Sequence, residues 1–135
     1  MNAPEDERHG AGLRVQRELL GPERLAAIEA SQTGFTTPMH DFVTRVAYGD
    51  VWEREGLDRR TRSCITIAVL AALGCPNEVA THARLGRVNG LSEEEISEVI
   101  LHTALYAGIP RAHGATMSAR DALAADDGGD GDGGR

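Results

Sequence analysis

Two groups of residues have types and spacing that could carry chemistry. The first is Cys75-Pro76-Asn77-Glu78-Val79-Ala80-Thr81-His82. Glu78 and His82 are four apart, so on a helix they share one face, with Cys75 about one turn earlier at the helix start. A carboxylate beside an imidazole fixes its tautomer and raises its proton affinity, as a general acid working near neutral pH requires. The plainer alternative is an ordinary Glu–His surface pair. A metal centre is a poorer fit, because one Glu–His step without a second His or Cys falls short of a ligand set.

The second group is Asp58-Arg59-Arg60-Thr61-Arg62. Three arginines in four positions fan around more than half a helical turn, so they cannot all make the same contact. Arg60 falls near a helix N-terminus, where backbone N–H groups also attract anions. Such a corner suits a carboxylate. The alternative is a solvated helix start paired with Glu53, Glu55 and Asp58.

Of the other histidines, His40, like His82, lies within a buried-looking helix beside acids, which makes it a further candidate. His9 falls in a polar N-terminal stretch, His102 pairs by spacing with Glu98, and His113 opens the last helix.

Composition removes several function classes. The 135 residues carry 14 basic against 21 acidic side chains, a net charge of −7, which argues against nucleic-acid or anionic-membrane partners. All fourteen basic residues are Arg, so lysine Schiff-base chemistry and a P-loop lysine are absent. The longest apolar run, residues 65–73, is about half the length needed to span a bilayer. Two cysteines, Cys64 and Cys75, lie outside any C-x-x-C spacing, and no hydrophobic signal segment precedes them. A cytoplasmic protein with reduced thiols is the expectation.

The elements that must position these groups read as helices. Residues 1–11 are polar and expected to be flexible. The acidic, glycine-rich stretch 126–135 contributes −3 and is expected to be disordered, because it holds too few apolar groups to offset its ordering entropy. Between them, residues 12–125 form one domain. Helices are expected over residues 12–20 and 22–30, then from Pro38 with a break or bend at Gly49 near Trp52. Asp58 is a good N-cap and Gly74 a good terminator for the next helix. Its part from Cys64 to Leu73 is apolar all round, as if it had no solvent face. Further helices run from Pro76 to Val88, from a Ser92–Glu95 capping box through the apolar stripe Ile96 to Ala107, and from Pro110 to about Ala124. Strand signals are missing. The prediction is an all-α domain of six or seven helices.

Tyr48-Gly49-Asp50-Val51-Trp52, then Gly56-Leu57-Asp58-Arg59-Arg60-Thr61-Arg62-Ser63, Glu78-x3-His82, Asn89-Gly90-Leu91-Ser92-Glu93-Glu94-Glu95-Ile96 and Tyr106-Ala107-Gly108-x-Pro110 together resemble the gamma-carboxymuconolactone decarboxylase family. The resemblance runs from about Val15 to Leu123. It implies the AhpD-like all-helical fold, a homo-oligomer (trimer or hexamer), and cofactor-free decarboxylation of a dicarboxylate lactone to an enol-lactone and CO2 in protocatechuate catabolism. Thiol peroxidases of the wider fold use C-x-x-C-x3-H. Here His82 falls on that histidine and Cys75 on the first cysteine, but Glu78 replaces the second, and a disulfide relay needs both thiols.

Loss of CO2 from the gamma carbon of such a lactone leaves electrons that delocalise through the C=C into the lactone carbonyl, so the substrate is its own electron sink. The protein must hold two carboxylates, stabilise a developing dienolate and protonate the alpha carbon. The roles expected are carboxylate binding by Arg60 and Arg62, proton donation by His82 oriented by Glu78, and a water-excluding wall of Tyr48 and Trp52. Tyr48 is also a candidate donor to the dienolate oxygen, and His40 lies on the substrate side. Two rival functions stand beside this one: a thiol oxidoreductase or peroxidase using Cys75, and a non-catalytic oligomer that binds a small acid.

Overall fold

The computed structural model describes residues 4–129. Among them every regular element is helical, as expected: α1 (Glu5–Leu20), α2 (Pro22–Ala30), α3 (Thr37–Phe42), a π-helix (Val43–Trp52), α4 (Arg59–Leu73), α5 (Pro76–Val88), α6 (Glu93–Ala107) and α7 (Ile109–Gly129). No described helix is long and apolar enough to cross a membrane. The chain divides into two compact units, one ending at Leu57 and the other starting at Asp58.

In the first unit α1 packs along the π-helix. Val15, Leu19 and Leu25 supply its buried apolar contacts. Two glycines permit the close approach of the backbones. A Cβ on Gly12 would lie 1.9 Å from the Thr44 carbonyl oxygen, and one on Gly49 would lie 2.3 Å from the Arg8 carbonyl oxygen. Ion pairs flank the crossing: Arg8 grips Asp50, Arg45 meets Glu5, and Arg14 lies 3.6 Å from Glu53.

Four expectations are corrected here. The stretch 1–11 is helical from Glu5 onward, where α1 begins, and His9 sits on that helix 3.7 Å from Asp41. Gly49 does not break its helix. It is a contact glycine inside the π-helix, and the change of register comes earlier, at Val43. Residues 126–129 are helical rather than part of a disordered tail, since Asp126 pairs with Arg84 and Asp127 with Arg87. The remainder of the expected tail, residues 130–135, lies outside the described residues. Finally, α4 does have an open face: Ile65, Val69 and Leu73 are 47%, 49% and 63% exposed. Within one chain α5, α6 and α7 cover only its other side.

In the second unit Ile67 and Ala71 of α4, Val79 and Ala83 of α5, Ile96 and Ile100 of α6, and Ala112, Ala115, Ala119 and Leu123 of α7 form one core. Small residues let α7 lie close to its neighbours. The helix ends follow the sequence signals. The Asp58 carboxylate accepts from the Thr61 backbone N–H at 2.7 Å, Gly74 takes the left-handed conformation (φ 72°), and Ser92 and Glu95 form a reciprocal capping box. The Thr61 bond holds the Asp58 carboxyl below the usual carboxylate range.

The Gly12 crossing yields a direct expectation. Gly12→Ala forces α1 off the Thr44 carbonyl and should cost about 1–3 kcal/mol, as overpacking of a tight contact does. Thermal melts should register that loss. Gly10→Ala, where nothing lies within 4 Å of the new Cβ, should not show it.

Candidate active site

The second unit presents four of the expected site residues. Pro76 and the Cys75 position start α5, and the period of that helix does the rest. Val79 and Ala83 are fully buried, so Glu78 and His82, one residue before each, lie on the flank of the core stripe. Glu78 is exposed at the first turn and His82 is half-buried beyond it. The Nδ1 atom of His82 is shielded from solvent. Burial pushes its imidazole below the ordinary histidine range, and the Glu78 carboxylate pulls the other way without cancelling that effect. This corrects the expectation that Glu78 would raise the proton affinity overall. Desolvation penalises the charged ring more than one exposed carboxylate favours it.

The arginines divide into different tasks. Arg60 makes an ion pair with Glu95, across from α4 to the first turn of α6. The same Glu95 accepts from the Ser92 backbone N–H at 3.2 Å, closing the capping box. One edge of the Arg60 guanidinium is therefore occupied. Arg62 is half-buried with its Nε shielded from solvent, the better setting for a charge-assisted bond to a ligand carboxylate. One helical step on, buried Ser63 accepts from the Asn89 side-chain amide at 2.9 Å. That bond ties the start of α4 to the end of α5. Glu53, one of the acids expected to neutralise this corner, lies 3.6 Å from Arg14 within the first unit.

The first unit presents the other three. Tyr48 and Trp52 are four apart on the π-helix with ring centroids 6.1 Å apart and planes tilted by 32°. Trp52 is buried. Burial raises the Tyr48 phenol above its ordinary range, so at physiological pH its hydroxyl keeps its proton and can donate. His40 is half-buried on α3, beside a hollow of about 550 Å³ that it lines with Gln32, Phe35, Thr36 and Met39.

Sequence reading missed Glu95, Ser63 and Asn89 as supports of the arginine corner. The capping box singled out Glu95, but nothing local signals a partner thirty-five positions upstream. Both cysteines are free thiols. No three His, Cys, Asp or Glu side chains among the described residues are grouped to hold a metal ion. His102 is exposed with its ring 5.6 Å from Tyr106, and His113 is also exposed.

A helical unit with an imidazole beside a carboxylate and a guanidinium-rich corner matches a known family profile. Residues 38–123 fit the carboxymuconolactone decarboxylase family. The chain belongs to that family. It is 39% identical over 117 residues to the 4-carboxymuconolactone decarboxylase of Acinetobacter baylyi, covering 87% of each chain. It is also 36% identical over 113 residues to the nitrosuccinic acid decarboxylase of Metarhizium robertsii, covering 81% of this chain and 79% of that one. An uncharacterised 15.0 kDa protein of Paracoccus denitrificans is 29% identical over 82 residues, covering 59% and 61%. The family match spans both Tyr48–Trp52 and the Arg60–His82 region.

The His82 environment can be read by titration. Its ring protons, followed by NMR, should titrate below the ordinary histidine range, and Glu78→Gln should move His82 lower still. The linkage sign follows from the depressed value. The unfolded chain binds the His82 proton more tightly, so this group contributes stability above about pH 6.5 that is lost as pH falls toward the folded value. His82→Gln should flatten that acid limb in urea melts.

Proposed function

We propose that the chain is a carboxy-lyase that converts gamma-carboxymuconolactone to beta-ketoadipate enol-lactone and CO2 without a cofactor, in the protocatechuate branch of aromatic catabolism. The observation that carries this reading is the half-buried His82 beside Glu78, in a chain that aligns over 87% of its length with a 4-carboxymuconolactone decarboxylase.

The roles follow from charge and exposure. Arg62 takes a substrate carboxylate through its planar fork. Arg60, with one edge on Glu95, offers only its remaining N–H groups and acts as the secondary contact. As CO2 leaves, the electron pair moves through the C=C onto the lactone carbonyl oxygen. Tyr48, kept protonated by burial, is the donor assigned to that oxygen, and Trp52 supplies apolar wall. His40 is assigned to the substrate side.

The dienolate must then take a proton at the alpha carbon, and His82 is assigned to give it. His82 is neutral at rest near pH 7, because burial lowers its proton affinity. A doubly anionic substrate raises that affinity as it binds, so the proton is loaded when it is needed. Glu78 holds the ring and supports its charged form.

A different carboxylate substrate is the second reading, favoured by the 36% identity to a nitrosuccinic acid decarboxylase. Purified protein mixed with the lactone, and separately with nitrosuccinate, distinguishes the two by CO2 release without added cofactor. Release from neither would favour the small-acid-binding reading. A turnover dependent on added thiol or peroxide would favour the thiol oxidoreductase. His82→Gln should lower kcat by about 10²- to 10⁴-fold with little change in KM. Arg62→Ala should act mainly on KM. A His82→Gln enzyme with full kcat would remove His82 as the donor.

The homo-oligomer is proposed from the open apolar face of the second unit. Ile65, Val69 and Leu73 of α4 and Leu101, Leu105 and Tyr106 of α6 are exposed there, with Ile109. A groove of about 1000 Å³ runs among Ile65, Leu101, Leu105 and Ile109. Exposed apolar side chains gathered along one groove are the mark of a surface that a partner covers. Sedimentation at micromolar concentration should give a trimer or hexamer, and Leu105→Glu should shift it toward monomer.

A further inference from the structure

The π-helix is the least expected element of the fold, and what fixes it bears on the aromatic pair it carries. Runs of i→i+5 hydrogen bonds are rare beyond a single turn and concentrate at functional sites. This one lasts ten residues, Val43–Trp52. The register matters because α and π geometry differ by roughly 15–20° per residue. Over the four residues from Thr44 to Tyr48 that difference turns a side chain by about 70°.

Thr44 is wholly buried and Gln16 on α1 is 5% exposed. The Thr44 hydroxyl donates to Gln16 Oε1 at 3.2 Å. A buried hydroxyl–amide pair has no water to exchange with, so one arrangement satisfies it and others leave a costly orphan. Sliding the π-helix by one residue would bring Val43 or Arg45 to this position. Val43 has no hydrogen-bonding side chain, and Arg45 is engaged with Glu5. The backbone adds a second constraint at the same place. Gly12 brings α1 against the Thr44 carbonyl, and a Cβ on Gly49 would meet both that carbonyl, at 3.3 Å, and the Arg8 carbonyl. Thr44 and Gly49 are i and i+5, the acceptor and donor positions of one π-type bond.

We propose that the Thr44–Gln16 bond, seated at the Gly12 crossing, holds the π register and thereby positions the rings of Tyr48 and Trp52. Thr44 and Gln16 are positioning residues in this scheme and touch no substrate. The catalytic consequence rests on the role given to Tyr48 and Trp52 above. The positional consequence does not, and the single tryptophan of the chain reads it directly.

Three variants test it: Thr44→Val, which removes the donor; Thr44→Ser, which keeps it; and Gln16→Met combined with Thr44→Val, which removes both polar partners and spares the fold a buried orphan. Thr44→Val should shift Trp52 emission to the red, increase its quenching by acrylamide, and lower kcat on the lactone about tenfold with KM within about twofold. Thr44→Ser should restore emission and kcat together. The double variant should recover melting temperature toward wild type while emission and kcat stay displaced. It also decides the question if Thr44→Val alone does not fold. Wild-type emission and quenching in the double variant would overturn the proposal, as would a Thr44→Ser protein that behaves like Thr44→Val. A wild-type chain inactive on the lactone would sink the assigned reaction instead, leaving the fluorescence result to stand by itself.

Discussion

The burial of one stripe of α5 is the constraint on which the second unit depends. Val79 and Ala83 reach zero exposure in the core, and Gly86 on the same helix comes so close to α4 that a Cβ there would lie 3.3 Å from Ile67. With these three fixed, the rotation of α5 is fixed. His82 must then lie at the boundary between core and solvent, and its depressed proton affinity is a consequence of that position. An imidazole turned one residue further inward would be buried without access. One turned outward would be an ordinary surface histidine.

The same logic extends to the arginine corner. Asp58 caps α4, Arg60 reaches Glu95 on α6, and Ser63 accepts from Asn89 at the end of α5. The cap thus fixes the first turn of α4, and the two other polar links anchor the start of that helix to two neighbouring helices. Half-exposed ion pairs contribute little to stability. Their use here is orientation, since a guanidinium whose helix is held in place loses less freedom when it takes a carboxylate.

Much of this was legible in the sequence because it is local. Asp58, Gly74 and the Ser92–Glu95 box announce helix ends by backbone chemistry that acts within four residues, and the structure has them where they were expected. The Glu78–His82 spacing is local too. What the sequence hid is what depends on distant partners. The net direction of the His82 shift needed its burial, which no local spacing reveals. The Arg60–Glu95 pair and the Asp126–Arg84 contact that keeps residues 126–129 helical join positions dozens of residues apart. The π-helix was hidden for a similar reason. Val43 to Trp52 has the pattern of an ordinary amphipathic helix, and its wider register reflects a buried bond to Gln16 and the close backbone of α1. Gly49 was recognised as special, but as a breaker, when its missing side chain serves a contact.

A neutral histidine is an unusual resting state for the proton donor that we propose His82 to be, and the chemistry of the proposed reaction explains why it suits. Decarboxylation begins from a carboxylate and needs a proton only at the alpha carbon, after CO2 has left. A ring held neutral by desolvation does not present that proton to the empty site. The arrival of negative charge alters the balance, because Coulomb attraction in a partly buried setting is stronger than in water. The developing dienolate adds to it by placing negative charge on the substrate's conjugated system. Under the proposed assignment the ring is most strongly protonated when the carbon acid must be formed. Glu78, exposed and four residues away on the same helix face, offsets part of the desolvation without fixing the charge. The pair is thus set between a permanent acid and an inert base, which is the condition that general acid catalysis near neutral pH demands.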